Sequence, residues 1–271
     1  MTKRLPWQLL FCQSLQHYLV DDEAVLALVV FGSVGQLDTA VSSQSDLDLL
    51  LVTTGAGLAN FFPTVDWLRP FGTPYAFEQH HTPPTYTTRL CYEDMRRVDM
   101  VFMAQTGLQE YRGAKFWQPC RLVFVKDMEV KQQLLQPGQV TSFTLPTLAE
   151  FDQMVNQFWY RSSVAVYKVI QDDQLIAWHL ALELLQDCCI LGMMLRDRQE
   201  QTNHHRTGGI GNELVTQLPT WSEPYTSATI LAMISQIAIL FDDLAGQRSE
   251  RYQPRKRPLL NWIQTIQTHK L

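Results

Sequence analysis

The chain has 271 residues, 46% of them hydrophobic and 18% charged, which is enough for one large domain or two modest ones with a real core. A formal net charge of −5 lacks the basic excess of a protein that holds nucleic acid across a broad surface, so no nucleic-acid partner is expected. The five cysteines, Cys12, Cys91, Cys120, Cys188 and Cys189, have an odd count and no C-x-x-C spacing, which points to a reducing, cytoplasmic setting. No window approaches the roughly 20 apolar residues of a membrane span, so no membrane partner is expected either.

The opening "PWQLLFCQSLQHYL" reads as an amphipathic helix and not as a signal peptide, because Gln8, Gln13, Gln16 and His17 interrupt its apolar run. Val25 to Phe31, "VLALVVF", has the length and composition of a buried strand, and so does "LDLLLVT", Leu47 to Thr53. The intervening "GSVGQLDTAVSSQS" is Gly-, Ser- and Asp-rich and should hold a turn with a short helical segment opened at Ser33. Asn60 to Pro84 carries five prolines and predicts a short helix around Trp67 among loops. Tyr86 to Met103 predicts a hairpin with its polar tip near Glu93 and Asp94, and Cys120 to Asp127 a last strand.

After the polar linker Gln136 to Pro146 the pattern becomes helical. Phe151, Val155, Phe158, Ser162, Ala165 and Val169 recur at helical spacing, and Asp172 or Asp173 can cap a following helix through Leu175, Leu180, Leu184 and Leu191. "NHHRTGGIG" breaks the pattern, and Tyr225 to Asp243 and Pro258 to Ile266 read as further helices. The chain thus divides into an α/β (α+β) domain over 1–140 and an all-helical bundle over 146–271.

Asp46 and Asp48 flank Leu47 at the start of the second apolar run. Side chains two apart on a strand share a face, so these carboxylates could converge on one divalent cation while Leu47, Leu49 and Leu51 enter the core. A pair of solvent-facing aspartates at a strand start gives the same spacing. Two features weigh toward the cation. Gly32 and Ser33 form a turn directly after the first strand, where backbone N–H groups could cradle a phosphate. Asp99 sits among Val98, Met100, Val101 and Phe102, where a lone carboxylate needs a cation or hydrogen bonds, unless it lies on an edge strand facing water.

A Gly-Ser turn, a polar loop, D-x-D and a third aspartate on a later strand resemble the nucleotidyltransferase superfamily that includes polymerase β. The similarity is greatest to aminoglycoside nucleotidyltransferases of the streptomycin or aminoglycoside 6-adenylyltransferase type. Arg97-Val98-Asp99 resembles their "RID" strand, "QFWYRSSVAVYK" their aromatic-opened helix, and "TGGIGNELVTQLP" their turn before a short helix. The resemblance implies a mixed sheet followed by a helical domain that helps bind nucleotide and acceptor, with the active site in the cleft between them. It implies transfer of AMP from ATP, with Mg²⁺, to a hydroxyl of a small molecule such as streptomycin. Asp46, Asp48 and Asp99 would bind the metal, Asp99 either also accepting the proton of the attacking hydroxyl or serving only as a metal ligand. Gly32 and Ser33 would contact the β- and γ-phosphates, and Lys168 would reach the triphosphate. A lincosamide, another small molecule or a protein side chain as acceptor, or a nucleotide-binding module without turnover, remain alternatives, and monomer and dimer stay open.

The chain also departs from these relatives. Val34 stands where they often have a basic residue, no Lys or Arg occurs between Ser33 and Arg69, and Asn212 and Glu213 stand where they have lysines. Elsewhere, Glu183 and Asp187 lie one helical turn apart and could recognise an amine, or form a wet helix face. His204 and His205 suggest a solvated loop more than a zinc site, Phe158, Trp159 and Tyr160 suggest core, and "RYQPRKRP" suggests a solvated loop.

Overall fold

A computed structural model describes residues 6–35, 42, 44–111, 115–137, 144–203, 205, 208–218 and 226–270, with residues 269 and 270 as backbone alone. The chain divides into two compact units, Met1–Thr141 and Ser142–Leu271.

In the first unit, helix α1 (Trp7–Leu19) leads into strand β1 (Val25–Phe31), a single helical turn α2 (Gly32–Gly35) and β2 (Leu47–Thr53). Two 3₁₀ turns, Gly57–Asn60 and Asp66–Phe71, precede β3 (Pro74–Thr82), β4 (Thr85–Tyr92) and β5 (Arg97–Ala104); α3 (Gln105–Glu110), β6 (Arg121–Val125) and α4 (Met128–Leu135) complete it. The six strands form one mixed sheet in the order β3-β4-β5-β2-β1-β6. Only β2 and β5 run parallel; the other neighbouring pairs are antiparallel. Successive side chains on β2 enter opposite cores. Leu47, Leu49 and Leu51 pack with Phe11, Leu15 and Leu19 of α1, and Leu50 and Val52 pack with Trp117 and with Val130 and Leu134 of α4. A strand buried on both sides reads as a continuous apolar run, which is why β1 and β2 have the expected bounds.

Pro74–Thr82 is strand and not loop. It is an edge strand whose side chains are mostly exposed, so it has neither the apolar alternation nor the β-branched content that would mark it. The short α3 and α4 went unread for a similar reason, being one to two turns long and weakly periodic.

The second unit comprises α5 (Leu148–Ile170), α6 (Gln174–Glu200), α7 (Ile210–Val215), α8 (Ser227–Arg248) and α9 (Lys256–Lys270). Thr147 and Glu150 close a capping box on α5, and the Asp173 carboxylate accepts the Ile176 N–H at the start of α6. Phe158 and Phe241 are fully buried and stack with ring centroids 3.6 Å apart at 5°. The basic segment after α8 is more than solvated loop: buried Asp242 accepts the Tyr252 hydroxyl at 2.6 Å and the Arg255 N–H at 2.7 Å. Against the sequence expectation, α6 and α8 are long and apolar enough to cross a membrane by length and composition alone. Here Leu184 and Leu191 of α6 and Ile234 and Phe241 of α8 supply one apolar core. Phe241→Ala is expected to cost about 3–5 kcal/mol, because the cavity beneath Phe158 adds to the lost transfer energy. Denaturant unfolding measures it, and a cost under about 1 kcal/mol would show that the stack collapses without a void.

Candidate active site

Parallel pairing of β2 with β5 sets Leu47 against Val98 and Asp48 against Asp99. Directly paired residues point to the same side of a sheet, so the two carboxylates are neighbours. The same row continues outward, with Arg89 opposite Asp99, Glu78 opposite Arg89, and Phe31 opposite Asp48 on the other side. Asp46 immediately precedes β2 and lies 3.6 Å from the Arg97 guanidinium. Arg89 lies 3.3 Å from Asp99 and donates to Glu78 at 2.9 Å. Glu78, Arg89, Arg97, Asp46 and Asp99 line a cleft of about 500 Å³.

The arrangement strains the acids. Burial, followed by repulsion from Asp46 and Asp99, pushes the Asp48 carboxyl up to about 7, against the opposing pull of Arg89 and Arg97. Asp99 is also raised, first by burial and then by Asp46, while both arginines oppose the shift. The charge that relieves Asp48 therefore comes from β4 and β5, and the exposed pair of aspartates considered from the sequence is not what forms.

Gly32 is tied to this cluster twice. Its φ of +63° is one that other residues rarely adopt, and a Cβ at this position would overlap the Asp48 carboxylate. The Ser33 hydroxyl is buried and has no hydrogen-bond partner among the described residues. The helical turn expected at Ser33 begins at Gly32; much of the polar stretch that follows, 36–41 and 43, lies outside the described residues.

Three carboxylates on one face suit a hard divalent cation such as Mg²⁺, which prefers oxygen ligands and retains waters and phosphates. The side chains as they stand do not close on one point: among the described residues, no three His, Cys, Asp or Glu groups converge to hold a metal ion. Arg97 occupies Asp46 and Arg89 occupies Asp99. The donor chemistry of three clustered carboxylates suits such an ion.

In the helical unit the Lys168 ammonium lies 3.0 Å from Asp173. Glu183 and Asp187 share Arg161, at 3.9 and 3.2 Å, so one positive charge is split between two acids. His205 lies 2.6 Å from Asp197 and 2.9 Å from Glu200; the acidic neighbours that the sequence did not reveal come from the end of α6, and His204 lies outside the described residues. Phe158 is core and Trp159 packs beside it, whereas Tyr160 is exposed. Arg89 and Glu78 were missed in the sequence. The available signal was the β4–β5 hairpin, whose tip near Asp94 places Arg89 across from Asp99.

A mixed sheet carrying three clustered aspartates beside a Gly-Ser turn, followed by a helical region, is the architecture of a nucleotidyltransferase, and this chain is one. Residues 13–196, more than half of the chain, match the family described as Streptomycin adenylyltransferase, and the chain belongs to that family. Among solved structures it is similar to an aminoglycoside 6-adenyltransferase from Bacillus subtilis, with 14% identity, a TM-score of 0.37, and coverage of 97% of this chain and 98% of that one. It is also similar to a nucleotidyltransferase-like protein from Exiguobacterium sibiricum 255-15, with 11% identity, a TM-score of 0.36, and coverage of 88% and 77%. No curated protein matches the sequence significantly.

Because Asp48 sits at about 7 in the folded chain, against 3.8 for an ordinary aspartate, the native state keeps a proton that the unfolded chain releases. The Asp48 contribution to stability therefore falls as pH rises from about 4 to about 7 and does not recover above it. Asp48→Asn in metal-free protein should raise Tm by a few degrees near pH 8 and leave it unchanged near pH 4. Equal Tm values near pH 8 would contradict the strained carboxylate. Gly32→Ala should cut turnover by about 10²-fold while the protein still folds, since the new methyl displaces Asp48. Steady-state kinetics with a circular-dichroism control measures both effects.

Proposed function

We propose that this enzyme transfers AMP from ATP, with Mg²⁺, to a hydroxyl of a small acceptor, specifically an aminoglycoside such as streptomycin, in the cytoplasm. The observation that carries this is the in-register pairing of Asp48 with Asp99, with Asp46 beside them and Gly32 making room. The family assignment supports the nucleotide and the aminoglycoside. In this proposal the first unit is catalytic, and the helical unit contributes to binding nucleotide and acceptor.

Asp46, Asp48 and Asp99 would hold the ion, which when bound supplies charge neutralisation on the phosphoryl oxygens and alignment of the leaving group. Asp99 accepts the acceptor hydroxyl's proton as that oxygen bonds to the α-phosphorus. The bond from the α-phosphorus to the bridging oxygen breaks, and pyrophosphate leaves with the electron pair. In the ion-free protein burial pushes the Asp99 carboxyl up. The Ser33 hydroxyl donates to a β- or γ-phosphate oxygen, beside the open backbone of Gly32. Lys168 neutralises the triphosphate once it leaves Asp173.

Pyrophosphate release with ATP and Mg²⁺ across panels of aminoglycosides and lincosamides tests the proposal. Release with an aminoglycoside is expected; release only with a lincosamide would move the acceptor, and ATP binding without release across both panels would favour a module without turnover. Asp48→Asn should abolish release, and Asp99→Ala should lower it about 10²- to 10⁴-fold. Near wild-type rates in either variant would contradict the assignment. Lys168→Ala should raise the ATP KM with little change in kcat, and an unchanged KM would leave Lys168 only as the partner of Asp173.

A further inference from the structure

The acidic face carries its own counter-charges. Arg97 reaches Asp46 at 3.6 Å and Arg89 reaches Asp99 at 3.3 Å, both longer than the about 2.7–2.9 Å of a tight charge-assisted hydrogen bond. Both guanidiniums are more than half exposed, so these pairs are screened and easily broken. They sit on Asp99 and Asp46, and they are the two cations in the lining of the cleft. Their charge also opposes the upward shift at Asp48.

From this geometry we infer that Arg89 and Arg97 are exchangeable counter-ions: a divalent cation displaces them from Asp99 and Asp46, and the freed guanidiniums then hold the triphosphate. The inference rests on the proposed metal and nucleotide and deepens it. It follows from three constraints. A divalent cation on Asp46 and Asp99 competes with the guanidiniums for the same carboxylate charge and repels them at close range. A displaced arginine anchored on β4 or β5 stays within side-chain reach of the carboxylates it left. A guanidinium fork suits phosphate oxygens, and a chain with no Lys or Arg from Val34 to Leu68 lacks a basic loop to supply that charge. Glu78 gives Arg89 a second anchor at 2.9 Å, so Arg97, which has the longer of the two aspartate contacts, is the freer of the pair.

Exchange makes an unusual demand: deleting the arginine must strengthen one ligand and weaken the other. Full-length Arg97→Ala, without nucleotide, should bind Mn²⁺ about three- to fivefold more tightly than wild type, read by electron paramagnetic resonance of free Mn²⁺. The same variant should bind ATP with Mn²⁺ about tenfold more weakly in calorimetry. Arg97→Lys should return Mn²⁺ affinity toward wild type, because the charge is restored. Unchanged or weaker Mn²⁺ binding in Arg97→Ala overturns the exchange while leaving the proposed metal site standing. Wild-type protein that binds neither Mn²⁺ nor ATP overturns both.

Discussion

Like charges placed side by side on hydrogen-bonded strands repel, and the parallel pairing of β2 with β5 does this to Asp48 and Asp99. Burial is the larger part of the cost, and the repulsion adds to it. The fold tolerates it because the register is fixed from both sides. Leu47, Leu49 and Leu51 fill one core, and Leu50 and Val52 fill the other. Each such side chain contributes roughly 1.5–3 kcal/mol when buried, so the leucines outweigh the repulsion. A slip of one residue would exchange the two faces and bury the aspartates under α1. Hydrophobic packing along most of the strand thus compels an unfavourable polar arrangement at its start.

What surrounds the carboxylates follows from that constraint. Gly32 lacks a side chain where Asp48 needs room, and Arg89 and Arg97 stand close enough to reduce the repulsion without filling the cleft. The residual strain shows at Asp48, the acid that neither arginine contacts within ion-pair distance and that is pushed to about 7. Sites that concentrate like charge in this manner are where catalytic groups with shifted pKa values occur. In the helical unit the buried acids have direct partners, although burial still pushes the Asp187 carboxyl up. Asp187 and Asp242 are buried there with Arg161, Tyr252 and the 255 backbone N–H beside them, and Lys168 is paired with Asp173.

The central strands were legible because burial on both faces leaves an unbroken apolar run bounded by Gly-Ser and by Ser-Asp. The three aspartates were legible because each interrupts or adjoins such a run. The edge strand β3 was not, since its mostly exposed side chains carry no periodicity. Arg89 escaped notice because its meaning lies in pairing across a hairpin, where 89 meets 99 only once the turn register is known. The acidic neighbours of His205 escaped for a related reason: they lie on the preceding helix, and a residue pair at separations of five and eight looks unrelated in a linear reading.

The most direct measurement is a crystal structure of the full chain with Mn²⁺ and a non-hydrolysable ATP analogue, using the anomalous signal of manganese to locate the ion. The account predicts a peak at roughly 2.1–2.3 Å from oxygens of Asp46, Asp48 and Asp99, with both arginines turned away from the carboxylates. A peak elsewhere, or nucleotide bound while Arg97 still holds Asp46 and Arg89 still holds Asp99, would contradict it.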